Sequence, residues 1–240
     1  MKVNLFSTCL GEELFPGVLN CARTVLERLG IEVSEPRAAF CCGQAAFNEG
    51  MREGALDLAR RFLDTYPPAT PLVVPSGSCT SMLKVFYPDL LADHPDYLAK
   101  ARALIPWIHE FSDFLVNVLK IDDVGASFPH PVTYHPSCHL LRELHLVQPP
   151  QRLLSKVRGL TLVEMPRATE CCGFGGLFSV KFPEISGAML ADKLQTIYQT
   201  GAEVLVANDC GCLMQIGGGL SRANSPVKVR HLAQILASRE

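Results

Sequence analysis

One phrase of this chain occurs twice. Pro36-Arg37-Ala38-Ala39-Phe40-Cys41-Cys42-Gly43 returns 130 residues later (171 − 41) as Pro166-Arg167-Ala168-Thr169-Glu170-Cys171-Cys172-Gly173. Pro, Arg, Ala, Cys, Cys and Gly recur in register. Further cysteines flank each copy at nearly equal distances, Cys9 and Cys138 upstream and Cys79 and Cys212 downstream. With Cys210, nine of the ten cysteines fall in this double pattern, and Cys21 lies outside it as a small apolar residue of a helix. The chain reads as one cysteine-bearing domain written twice, and 240 residues give each copy enough length to bury its own core.

Strand and helix signals alternate through both copies. In the first, Val3–Ser7 reads as a strand delivering Cys9, and Val18, Leu19, Ala22, Val25, Leu26 and Leu29 recur at helical spacing between Pro16 and Gly30. Ile31–Val33 is a second strand leading to Cys41-Cys42-Gly43, and one long helix is expected over Gln44–Thr65. Leu72–Val74 is a third strand running into Cys79, and helical stretches are expected at Tyr97–Ile105 and Trp107–Leu119. The second copy repeats the script: Val132–Tyr134 before Cys138, a helix near Gln151–Val157, Leu160–Val163 before Cys171-Cys172, a helix near Glu184–Tyr198, and Val204–Val206 before Cys210-Gly211-Cys212. Wholly apolar strands alternating with helices predict an α/β fold: two repeated domains, each a small parallel sheet with helices on both faces. The polar stretch Ile121–His130 is the linker candidate, giving a first domain over 1–122 and a second over 123–240. Every motif cysteine then follows a strand or opens a helix, at the carboxyl ends of the strands where open parallel sheets bind their ligands.

The compartment decides what the cysteines do. Net charge is −2, which offers no basic field for nucleic acid. No apolar run reaches the roughly 18 residues that would span a bilayer, and Met1–Phe6 reads as a first strand rather than a leader. A cytoplasmic location is expected, where thiols stay reduced and clustered cysteines are metal ligands or redox groups.

Four thiolates converging from three loops suit a soft metal centre, tetrahedral zinc or an iron–sulfur cluster. Zinc sites commonly use pairs spaced by two to four residues, which neither copy supplies around its adjacent pair. Neighbouring side chains can instead reach different irons of a larger cluster, so iron–sulfur is preferred. Such a cluster is anionic and needs donors when buried. Gly43 and Gly173 let backbone N–H groups approach, Arg37 and Arg167 offer positive charge, and His135 and His139 flank Cys138 as donors to sulfur. Gly173-Phe174-Gly175-Gly176 lacks dinucleotide-binding spacing, and Gly217-Gly218-Gly219 reads as a helix end and turn. Two other readings remain open: a metal-free thiol–disulfide oxidoreductase, and a zinc-stapled assembly scaffold.

The doubled Cys…Cys-Cys-Gly…Cys pattern resembles the cysteine-rich (CCG) domain family of heterodisulfide reductase and the glycolate oxidase iron–sulfur subunit. The strings Glu170–Ser179 and His135-Pro136-Ser137-Cys138-His139 look like its lactate-utilisation branch. The resemblance implies an iron–sulfur component acting with two partner proteins to oxidise L-lactate to pyruvate, with electrons leaving toward the respiratory chain. It also implies one cluster of the 4Fe-4S type per domain, prone to loss in air. The ligands would be Cys9, Cys41, Cys42 and Cys79 in the first domain and Cys138, Cys171, Cys172 and Cys212 in the second. The reductase-like pattern ends each copy in Cys-x-x-Cys, giving five cysteines. Here Ser76 and Asp209 stand at the first of those positions. That departure points to four-cysteine electron-transfer sites. Cys210 is then a spare thiol, a substitute ligand, or a fifth ligand reached by a one-residue shift.

Overall fold

The computed structural model describes residues 1–35 and 41–240. Two four-stranded, wholly parallel sheets carry the molecule. The first comprises β1 (Lys2–Leu5), β2 (Glu32–Ser34), β3 (Leu72–Val74) and β4 (Ile108–Glu110), in the order β2-β1-β3-β4. The second comprises β5 (Pro131–His135), β6 (Thr161–Val163), β7 (Val204–Ala207) and β8 (Lys228–His231), in the order β6-β5-β7-β8. The repeat visible in the cysteines is therefore a repeat of topology. The α/β fold of two repeated units, with helices covering both faces of each sheet, is as the sequence predicts.

Three local expectations are corrected. Ile108–Glu110 pairs with β3 as an edge strand, where the sequence suggested helix over Trp107–Leu119, and Lys228–His231 is its equivalent beside β7. The long helix over Gln44–Thr65 is two helices, Gln44–Asn48 and Arg52–Thr65, separated at Gly50, whose φ of 73° leaves the helical region. Gly217-Gly218-Gly219 lies inside the helix Cys210–Arg222. A Cβ on Gly219 would sit 2.9 Å from Leu190 Cδ2, so the missing side chain is what lets that helix pack against Pro183–Thr200.

The side-chain period of two along each strand distributes the core. Val3, Leu5 and Val73 of the first sheet and Val132, Tyr134, Val204 and Val206 of the second face a core common to both halves. Phe6, Leu72 and Val74 face an outer core of the first half, and Leu205 an outer core of the second. In the common core the helix Gly17–Arg28 of the first half packs on Leu232–Ala237 of the second. Symmetrically, Gln148–Ser155 of the second packs on the helical segment Phe111–Val118 of the first. Residues 121–130 contribute Val124, Ala126 and Phe128 to the same core. Each half thus completes the other's inner face, which brings the carboxyl ends of the two sheets together.

Candidate metal centre

The cysteine loops open onto one cavity. It measures about 370 Å³ and is lined by Cys9, Cys41, Cys42 and Cys79 from the first half, and by Cys138, Cys171, Cys172, Cys210 and Cys212 from the second. Cys21 faces away and packs against the common core.

Local structure explains how each sulfur arrives. Cys9 and Cys138 are the first residues of helices that begin just beyond β1 and β5. Cys79 sits in the helix Gly77–Ser81 beyond β3, and Cys210 and Cys212 in the first turn of Cys210–Arg222 beyond β7. The adjacent pairs end at glycines held in the left-handed region, φ 88° at Gly43 and 84° at Gly173. That turn aims the glycine N–H back at the preceding loop sulfur, Gly43 N to Cys41 Sγ and Gly173 N to Cys171 Sγ, both at 3.4 Å. Gly173 is required twice over, because a Cβ there would meet the Ser186 carbonyl oxygen at 2.7 Å. After Cys42 a helix starts directly, whereas Cys172 is followed by a turn and the next helix begins at Phe178.

The sulfurs of each half act on one another. The Cys42 and Cys79 sulfurs are 3.4 Å apart, and Cys9, Cys41 and Cys42 influence one another's thiols in turn. Cys138, Cys171, Cys172 and Cys212 do the same in the second half. Within each set the thiols compete for one negative charge. Hydrogen bonds from Cys42 and Cys9 hold Cys41 far below the usual thiol range, and those from Cys138 and Cys172 do the same for Cys171. Cys9, Cys42, Cys138 and Cys172 are pushed up, first by hydrogen bonding to their neighbours and then by burial. A soft cation ends that competition by taking every sulfur as thiolate. The donor set therefore fits a metal or iron–sulfur centre.

Two basic groups stand behind the second sulfur set. His135 is 1% exposed and neither ring nitrogen has a hydrogen-bond partner among the described residues. A ring nitrogen of His135 and the sulfurs of Cys172 and Cys212 all lie within 4.8 Å of one another. Burial, then the nearby Lys193 charge, lowers the imidazole to about 3, so it is neutral. Lys193 is itself 1% exposed and donates to the Arg167 and Ala168 carbonyls at 3.2 Å, with Met165 Sδ at 4.0 Å. No carboxylate pairs with it among the described residues. An isolated buried ammonium costs several kcal/mol; the Glu170 carboxylate first, then thiolates at Cys172, Cys171 and Cys212, are near enough to offset part of that. Lys193 was not among the residues the sequence pointed to, although its spacing from Leu190 and Ile197 puts it on the buried face of its helix.

The remaining predicted site residues are placed as follows. Arg167 is exposed and pairs with Glu170 at 3.4 Å. Arg37 lies outside the described residues. His139 sets its Nε2 3.2 Å from Gln44 Nε2 of the first half and its Nδ1 3.2 Å from Glu143. Ser76 and Asp209, the two positions that carry cysteine in the reductase-like pattern, bond to each other across the halves at 3.2 Å. Asp209 Oδ2 also accepts from Ser78 N at 2.9 Å, while Oδ1 caps the helix by accepting from Gly211 N at 3.0 Å. Cys210 is buried, and a Cβ on Gly11 of the first half would lie 3.9 Å from its sulfur. Burial first, then Asp209 and Cys79, pushes its thiol up.

Doubled parallel sheets delivering two sets of cysteines to one cavity define a two-repeat cysteine-rich α/β protein. Residues 3–84 and 132–217 each match the CCG family, described as a cysteine-rich domain. The chain belongs to that family and, along its whole length, to the family of lactate utilization protein A. It is 46% identical over 239 residues to the lactate utilization protein A of Bacillus licheniformis and to that of Bacillus subtilis, and 44% to that of Bacillus pumilus, covering 100% of both chains each time. Among solved structures, a hypothetical protein from Helicobacter pylori shares the fold at a TM-score of 0.66 and 14% identity. That likeness covers 98% of this chain and 48% of the other. Among the described residues no helix is long and apolar enough to cross a membrane.

Proposed function

We propose that this chain is the iron–sulfur electron-transfer component of a system oxidising L-lactate to pyruvate, holding one cluster of the 4Fe-4S type in each half. The observation that carries the reading is the pair of four-cysteine sets, each gathered from three loops onto the shared cavity, with the Cys42 and Cys79 sulfurs 3.4 Å apart in the first and the Cys172 and Cys212 sulfurs within 4.8 Å in the second. Cys9, Cys41, Cys42 and Cys79 hold the first cluster, and Cys138, Cys171, Cys172 and Cys212 the second. Bound there, the clusters supply one-electron storage and relay.

The chain's own residues do the rest. Gly43 and Gly173 N–H groups donate to the sulfurs of Cys41 and Cys171, which stabilises negative charge there. Ser76 and Asp209 hold the two rims in register. The names of the relatives bring lactate to this chain. Two partner subunits, one of them oxidising the substrate, and a cytoplasmic location complete the reading. Cys210 is a thiol between the two sites and outside both ligand sets.

The test is anaerobic reconstitution with iron and sulfide in three proteins: wild type, Cys42→Ala and Cys172→Ala. Equal amounts of iron and acid-labile sulfide, about halved in each variant, support the reading. Zinc without sulfide would replace it with the scaffold reading, and metal-free protein with reversible thiol oxidation would replace it with the thiol–disulfide one.

A further inference from the structure

The two sulfur sets are equivalent in sequence and unequal in surroundings. His135 and Phe6 each lie three residues before the first cysteine of their half, Cys138 and Cys9. Lys193 and Phe62 are likewise equivalent. Gly173 abuts Ser186 as Gly43 abuts Ala55, and Lys193 and Phe62 each lie seven residues further along the helix (193 − 186 and 62 − 55). Behind the first set the two positions hold aromatic rings, Phe6 and Phe62, with centroids 5.3 Å apart in an edge-to-face contact and with Tyr66 and Tyr87 around them. Behind the second set the same two positions hold an imidazole with no hydrogen-bond partner among the described residues and a buried ammonium bonded to backbone carbonyls, within reach of the Glu170 charge and of the site's own sulfurs.

We infer that Lys193 and His135 are positioning residues that raise the reduction potential of the second site above that of the first, so that the second site takes up the first electron. This rests on the reading of both sulfur sets as iron–sulfur sites. The physical reason is charge. Reduction adds a negative charge to an already anionic centre, and a nearby buried cation and a free ring donor stabilise the reduced form. Phe6 and Phe62 offer the first site neither. Histidine near or on an iron–sulfur centre shifts potential in the same direction whether it donates a hydrogen bond or replaces a thiolate. Burial keeps water from screening the difference.

The experiment is an anaerobic potentiometric titration of the reconstituted full-length protein, followed by EPR. Cys42→Ala and Cys172→Ala assign each signal by removing one site. Wild type is expected to show the second-site signal at the higher potential. Lys193→Met is expected to lower the reduced-to-oxidised ratio of the second site at fixed potential about tenfold, equivalent to about 59 mV for a one-electron couple, and to leave the first site unchanged. Lys193→Arg, which keeps the charge, is expected to restore the wild-type value. Should Lys193→Met not fold, His135→Phe decides by the same readout, since Phe6 shows that the repeat accommodates a ring at this position. Two signals at coincident potentials, or a second-site potential unmoved by these variants, overturn the inference and leave the iron–sulfur reading intact. A protein that takes up no iron overturns both.

Discussion

Glycine at the end of each cysteine pair shows how a single residue ties backbone to chemistry. Both Gly43 and Gly173 need a positive φ, but a Cβ would sit at an ordinary 3.5 Å from the Ala55 carbonyl at the first and at 2.7 Å from the Ser186 carbonyl at the second. Gly43→Ala is expected to cost about 1 kcal/mol from the left-handed conformation alone. Gly173→Ala is expected to cost about 2–3 kcal/mol more, because backbone must also move. Denaturant midpoints of the metal-free variants check both. The sequence showed why glycine stands there, as the repeat and the need for close N–H approach were both legible. It did not show that the second glycine is the tighter one. Nor did it show the contrast of Phe6 and Phe62 with His135 and Lys193, since equivalence along a helix emerges only once Gly43 and Gly173 have found their neighbours.

The edge strands β4 and β8 end in matching caps of opposite charge type. Glu110 Oε2 accepts from Ser112 N at 2.7 Å, and His231 Nδ1 accepts from Ala233 N at 3.1 Å. Both side chains are buried. Burial raises the Glu110 carboxyl to about 7 and lowers the His231 imidazole to about 4. The signs differ. Between the ordinary carboxyl range and pH 7 the folded state binds more protons at Glu110, so this group's contribution falls as pH rises. Between about pH 4 and the ordinary histidine range the unfolded state binds more protons at residue 231, so that contribution grows as pH rises and is lost as pH falls through 4. His231→Asn keeps a cap acceptor and removes the titration. It is expected to flatten the rise of stability with pH by about 3 kcal/mol across pH 4–6.5, measured by denaturation at several pH values. An unchanged slope would mean that His231 is not held neutral. These strands were the least legible elements. Ile108–Glu110 is three residues long, carries a histidine and a glutamate, and runs straight into a helix, so no period of two can declare itself. The inner strands β3 and β7, wholly apolar and buried on both faces, were plain.

At the scale of the molecule the halves share a core, and polar contacts cross between them. Asn208 donates from Nδ2 to Glu110 Oε1 at 2.9 Å across the halves, and its Oδ1 accepts from Tyr134 at 3.2 Å, all of it buried. Asn208→Ala is expected to cost about 3 kcal/mol by leaving buried partners unsatisfied, while unfolding stays a single transition because Val3, Leu5, Val132 and Val206 share one core. A biphasic melt would show two independently stable halves. The doubled cysteine phrase made the two sheets legible. That both open onto one cavity was not, because it depends on how Gly17–Arg28 and Leu232–Ala237 pack, and nothing local in either helix names its partner. The central claim is that each set of four sulfurs grips its own iron–sulfur core inside that cavity. Diffraction at the iron absorption edge, from crystals of anaerobically reconstituted protein, tests it most directly. The account predicts two separate groups of iron, one against Cys9, Cys41, Cys42 and Cys79 and one against Cys138, Cys171, Cys172 and Cys212. A cavity with no anomalous signal at that edge, or with lone metal ions and no sulfide, would contradict it.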